Sequence, residues 1–259
     1  MKYAKYIPEP RIIADEVRLM LRAWGFLTRA PVPAWAWGED RDLGRSMRWF
    51  PLAGAGVGVV AGVVYAVLAN LGKPDLAAAG LALAAGALLT GALHEDGLAD
   101  TVDGLGGGAD KEQALEIMRD SRIGTYGAVT LMLAFVVKAG ALASHEAVEG
   151  LVFLVCAHAS GRAAIALAAC SAPYVRRDGM GRFAETTLGN AGIAVGVAAL
   201  FALSAGAHGL LALIFALIAG QAVLFYLRKR LGGWTGDGLG AIEQAAEVTA
   251  LVVLSATLQ

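Results

Sequence analysis

The sequence predicts an all-α, polytopic membrane bundle of about six or seven transmembrane helices. The N-terminus is expected in the cytoplasm, with an amphipathic helix ahead of the first span. Three observations carry this. Of 259 residues, 57% are hydrophobic and only 17% are charged, less charge than a soluble domain of this length carries. The apolar residues come in long blocks, and about 20 such residues cross a bilayer. Lysine and arginine gather in alternate connections, which orients a membrane chain. One catalytic unit over residues 1–259 is expected, with 1–50 as an interfacial N-terminal segment and 51–259 as the bundle and its site loops.

Met1 to Arg29 holds no uninterrupted apolar core, so no cleavable signal peptide is expected. Pro10 to Arg29 reads as an amphipathic helix. Ile13, Val17, Met20, Leu21, Trp24 and Leu27 fall near one face, and Arg11, Asp15, Arg18 and Arg22 on the other. It suits either the membrane interface or the cytoplasmic face of the bundle. Pro31, Pro33, Trp35 and Trp37 form a stiff aromatic turn at headgroup level.

Seven spans follow: Pro51–Leu71, Leu76–Leu93, Tyr126–Ser144, Val148–Ala172, Ala191–Ala205, Leu210–Leu227 and Ala241–Leu258. The fifth and seventh are short or weak. Lys2, Lys5, Arg11, Arg18, Arg22, Arg29, Arg41, Arg45 and Arg48 precede the first span. Lys111, Arg119 and Arg122 follow the second, Arg176, Arg177 and Arg182 the fourth, and Arg228, Lys229 and Arg230 the sixth. The other turns hold Lys73 alone or nothing basic. All the longer loops are therefore placed on the cytoplasmic side. Cys156 and Cys170 share one apolar block and read as packing residues.

The chain's chemistry centres on His94 to Gly104. Glu95, Asp96, Asp100 and Asp103 crowd four carboxylates into nine positions. If the preceding span continues as helix, Asp96, Asp100 and Asp103 stand on one face at i, i+4 and i+7. There they would meet the negative end of the helix dipole as well as each other. Such a cluster calls for a hard cation, and Mg²⁺ suits it. The plainer reading is a solvated acidic loop. Gly106, Gly107 and Gly108 then break the helix, and Asp110 with Gln113 opens a short helix to about Arg119.

Arg119, Ser121 and Arg122 form a candidate anion clamp, with membrane-side anchoring as the competing role. Arg162 lies inside a span, four residues after His158, and is a functional candidate because a buried cation is costly. Lys138 is expected to snorkel and stays outside the site. In the last loop, Asp237 is a further candidate ligand and Thr235 a candidate phosphate contact; a plain helix-entry loop is the other reading. Glu243 and Glu247 open the final span, with Glu247 facing the bundle.

Together these residues resemble the cobalamin synthase family, the adenosylcobinamide-GDP ribazoletransferases. The resemblance runs over nearly the whole chain. It includes Phe26-Leu27-Thr28-Arg29, Pro31-Val32-Pro33, Arg48-Trp49-Phe50-Pro51-Leu52, His94 to Gly104, Asp120 to Gly127, and Gly232-Gly233 with Thr235-Gly236-Asp237. The Glu-Asp-Gly run with its later aspartates is the specific part.

The resemblance implies transfer of α-ribazole or its 5′-phosphate onto adenosylcobinamide-GDP, giving adenosylcobalamin or its 5′-phosphate and GMP, with Mg²⁺ required. On that reading Asp96, Asp100 and Asp103, with Glu95 and Asp237, hold metal. A carboxylate or His94 takes the hydroxyl proton. Arg119, Ser121, Arg122, Arg162 and Thr235 meet phosphate. The expected setting is the bacterial inner membrane with the site facing the cytoplasm. The expected partners are the two small-molecule substrates and the bilayer, with no nucleic acid; a homo-oligomer is compatible with the sequence. A CDP-alcohol phosphotransferase making a phospholipid is the nearest enzymatic alternative. An ion-coupled transporter is the alternative from another class, but the charges sit mostly at one face and no interrupted repeats are visible.

Overall fold

The computed structural model describes residues 10–37, 43–72, 75–143, 145–176 and 184–257. Lys2, Lys5, Arg41, Lys73, Arg177 and Arg182 of the orientation argument lie outside these residues, as do the predicted span ends Ser144 and Leu258. Among the described residues there are eleven α-helices. They are α1 (Pro10–Leu27), α2 (Leu43–Ser46), α3 (Phe50–Asn70), α4 (Asp75–Thr90), α5 (Leu93–Gly107), α6 (Lys111–Ile117), α7 (Thr125–Leu142), α8 (Ala147–Ser171), α9 (Leu188–Ala202), α10 (Gly206–Leu231) and α11 (Gly236–Thr257).

Five helical stretches are long and apolar enough to cross a membrane, six when the bent pair α4–α5 counts as one. The longest, Leu188–Leu231, has 44 residues, about 66 Å if straight and twice a bilayer's apolar thickness. It is not a rod. Gly206 stands at φ +61°, and a Cβ on Gly209 would fall 2.0 Å from the Ala202 carbonyl. The chain doubles back there, and α9 and α10 both pack on α8 around Ala159 and Ala163. With that stretch taken as two passes, the helices follow the seven predicted spans.

The centre is α8, buried along most of its length. Its closest neighbour is α3, where Gly54, Gly58 and Gly62 form a strip with no room for side chains. Added Cβ atoms there would meet His158 O at 2.4 Å, Leu154 O at 2.6 Å and Leu151 Cα at 2.8 Å. Small residues let helices in a bilayer approach closely, where dispersion contacts replace a hydrophobic drive.

Two expectations about the site face change. The second span does not run on into the acidic stretch. It breaks at Gly91 and Ala92, both with positive φ, and α5 leaves at 91° to α4. From there α5 runs across the ends of α11 and α7 instead of spanning. Glu95 and Asp96 therefore sit in a first turn, where the helix dipole favours negative charge. The predicted clash with a helix C-terminus does not arise. Arg22, placed on the polar face of α1, is buried and donates to Ala36 O at 3.2 Å and Trp37 O at 2.7 Å. Glu16 on α1 pairs with Arg48 at 2.9 Å and accepts from Trp49 Nε1 at 2.7 Å. These bonds hold α1 against the start of α3.

Candidate active site

Glycine sets the position of α5. A Cβ on Gly97 would lie 2.8 Å from Asp237 O, and one on Gly240 would lie 3.0 Å from Gly97 Cα. Helices α5 and α11 thus touch backbone to backbone, which brings Asp96 and Asp100 beside Asp237. Burial, then the Asp96 and Asp237 carboxylates, push the Asp100 carboxyl up to about 6. Charge of one sign is therefore in excess here.

A second device brings a cation to it. Trp234 N donates to Pro173 O at 3.0 Å, Val175 N to Trp234 O at 3.0 Å, and Trp234 Nε1 to Ala172 O at 2.7 Å. This staple ties the segment after α8 to the loop before α11. It places Arg176 against Asp237, with the NH2 to Oδ2 distance at 2.6 Å. The sequence reading saw Arg176 only as one of three basic loop residues. Its partner is 61 positions away, and no local pattern announces the pair.

Asp96, Arg176 and Asp237 border a cavity of about 340 Å³, and Asp100 lies behind them outside its lining. Its polar lining includes His94, Asp96, Arg176 and Asp237. Phe26, Leu43, Met47 and Phe50, from α1 to α3, line it on another side. Arg162 NH2 lies 3.2 Å from His94 Nδ1. A guanidinium only donates, so Nδ1 accepts and the ring proton sits on Nε2. That makes His94 a donor and argues against the general-base role.

Other predicted site residues are placed elsewhere. Asp103 accepts from Gly124 N at 2.7 Å through Oδ2 and from Gly127 N at 2.9 Å through Oδ1. These two bonds tie α5 to the start of α7. Thr235 accepts from Gly238 N at 2.9 Å and caps α11. Both satisfy amides that every helix start leaves unpaired. Glu95 turns inward, where Gln244 Nε2 donates to its Oε1 at 3.3 Å. Arg119 and Ser121 are exposed, and Arg122 is paired on the surface with Asp120; none of the three lines the cavity.

Arg162 is buried beneath α5. It pairs with Glu243, with Glu247 at 2.7 Å and with His158 Nδ1 at 2.9 Å. Lys138 does not snorkel: its Nζ reaches Glu247 at 3.0 Å and Gln244 Oε1 at 2.8 Å. Among the described residues, His158, Glu243 and Glu247 are the only three ligating side chains whose ligand atoms lie within 4.8 Å of one another. Arg162 and Lys138 already neutralise that trio. Asp96, Asp100 and Asp237 do not converge so far. They still fit Mg²⁺, which needs only one or two carboxylates when waters and substrate phosphates complete its shell. Their donors are all hard oxygens, and burial, then the Asp96 and Asp237 charges, raise Asp100.

A family model described as cobalamin-5-phosphate synthase matches residues 19–255. The chain belongs to that family. Curated relatives of this cobalamin-5-phosphate synthase family carry the name adenosylcobinamide-GDP ribazoletransferase. One from Rhizobium etli (strain CIAT 652) is 43% identical over 92% of this chain and 96% of its own length. One from Bradyrhizobium diazoefficiens is 39% identical over 96% of this chain and 98% of its own. A more distant one, from Shewanella piezotolerans, is 36% identical over 93% and 95%. No solved structure matches the chain.

Proposed function

We propose that this protein transfers α-ribazole, or its 5′-phosphate, to adenosylcobinamide-GDP and releases GMP, in a Mg²⁺-dependent phosphotransfer. The family match over nearly the whole chain carries this reading. The carboxylates and arginine gathered at one cavity are its chemical support. The ribazole 3′-hydroxyl attacks the phosphorus attached to cobinamide, and the bond from that phosphorus to the GMP oxygen breaks. Asp96, Asp100 and Asp237 would hold Mg²⁺, which when bound neutralises developing charge on phosphoryl oxygens. Arg176, fixed by Asp237, faces the diphosphate and needs no reorganisation to do so. The hydroxyl proton passes to a carboxylate oxygen of this cluster that the metal leaves free. His94 donates into the site from Nε2.

The site faces the cytoplasm of a bacterial inner membrane, the side to which the basic loops assign it. Helix α1 lies in that interface with Ile12, Ile13 and Val17 outward. The test is GMP release by detergent-purified protein given adenosylcobinamide-GDP and α-ribazole, with and without Mg²⁺. Release that needs both ribazole and metal is expected. No release from folded protein would overturn the reading and bring CDP-alcohol substrates forward.

A further inference from the structure

The cavity is larger than a metal and a phosphate require, and its lining is divided. Acid and base side chains come from α5, from the start of α11 and from Arg176. The rest is mainly apolar, including Phe26, Leu43, Met47, Phe50, Ile165 and Ala184. These six side chains offer no hydrogen bond. Any donor or acceptor pushed against them loses water without gaining a partner, which costs affinity. Its volume of about 340 Å³ is at the small end of ligand sites. It has room for one nucleoside and none for a corrinoid nucleotide.

We infer that this cavity is the α-ribazole subsite and reads the base by its lack of polar edges. The inference rests on the reaction proposed above. The dimethylbenzimidazole ring lies against the apolar wall, and its ribose points to Asp96 and Asp237. The corrinoid and its GDP stay outside, with the diphosphate reaching Arg176 from the open side. Guanine is the competing occupant and fits poorly. Its edge carries several donors and acceptors that Leu43, Met47 and Phe50 cannot pair. The two methyl groups of dimethylbenzimidazole need no partner and gain from leaving water.

The test uses full-length protein in detergent and two variants: Ala184→Phe, which fills the cavity, and Leu43→Ala, which widens it. Calorimetry measures α-ribazole binding without turnover, and steady-state assays give KM for each substrate. Ribazole lacking both methyls is expected to bind about tenfold more weakly than α-ribazole. Ala184→Phe should raise KM for α-ribazole about tenfold and leave KM for adenosylcobinamide-GDP within about twofold. Leu43→Ala should shrink the preference for the methylated base. Equal binding of the two ribazoles would overturn the inference. So would variants that move only the adenosylcobinamide-GDP KM, which would give the cavity to guanosine. GMP release by wild type with either result leaves the reaction standing. Ribazole binding without GMP release would remove the reaction and keep the subsite.

Discussion

Two charged clusters lie one above the other in this molecule, and they are built on opposite rules. The lower one, Arg162, Lys138, Glu243, Glu247 and His158, is buried and neutralised from within. Its members come from α7, α8 and α11, and His94 and Glu95 tie α5 to it. The upper one, Asp96, Asp100 and Asp237, has Arg176 as its cation, and its Asp96 and Asp237 line the cavity. A buried charge must find its partner inside the protein or not fold. An under-neutralised, accessible one is available to a ligand. The lower cluster therefore reads as scaffold and the upper as chemistry.

Breaking the upper cluster should cost activity without stability. Asp96→Asn or Asp100→Asn is expected to lower turnover on the order of 10²–10³-fold or more, with the thermal midpoint of the metal-free protein in detergent unchanged or raised. Near-normal GMP release from both variants would remove the metal assignment. Breaking the lower cluster should do the reverse. Arg162→Met leaves buried Glu243 without its cation, while Glu247 keeps Lys138, and should destabilise by roughly 3–5 kcal/mol, read as loss of folded protein. Replacing Glu243 by Leu in the same chain should recover part of that loss. A fully stable Arg162→Met protein would show that the pairs hold nothing together.

Proton linkage sharpens the contrast. Asp100 keeps its proton up to about pH 6 in the folded chain and to about 3.9 in an unfolded one. The metal-free protein should therefore gain stability as pH falls from about 6 toward 4. Mg²⁺ competes with that proton, so its apparent affinity should hold above pH 6 and fall about tenfold per unit below it. Titration calorimetry over that range measures it; a flat profile would take Asp100 out of the metal set. The smallest effect belongs to Arg122, exposed and paired with Asp120. Arg122→Ala should leave kcat/KM within about twofold, because exposed ion pairs are screened by water and salt. A large loss would return the loop to the site.

What a residue can do was legible; what it does depended on its neighbours. Asp110 and Gln113 were read as a helix start, and Asp110 Oδ1 does accept from Gln113 N at 2.9 Å. That interaction is local, so pattern suffices. Asp103 carries the same carboxylate as Asp237, and Thr235 an oxygen only two residues from it, but their cap roles rest on where α7 and α11 begin. Arg162 stands out in the sequence as a costly cation inside a span, but the sequence does not say what it pairs with. Its partners Glu243 and Glu247 lie 81 and 85 residues away.

By itself, the sequence determined a helical membrane bundle, the position of its acidic stretch and the family. These follow from apolar block length, charge placement and a contiguous motif, all local along the chain. Only the tertiary structure decided which carboxylates remain open. The turn at Gly91 and Ala92, the Gly97–Gly240 contact and the Trp234 staple bring Asp96, Asp237 and Arg176 to one cavity, with Asp100 beside them. Each depends on helices packed from distant parts of the chain, because a charge's role is set by what faces it across a packed interface.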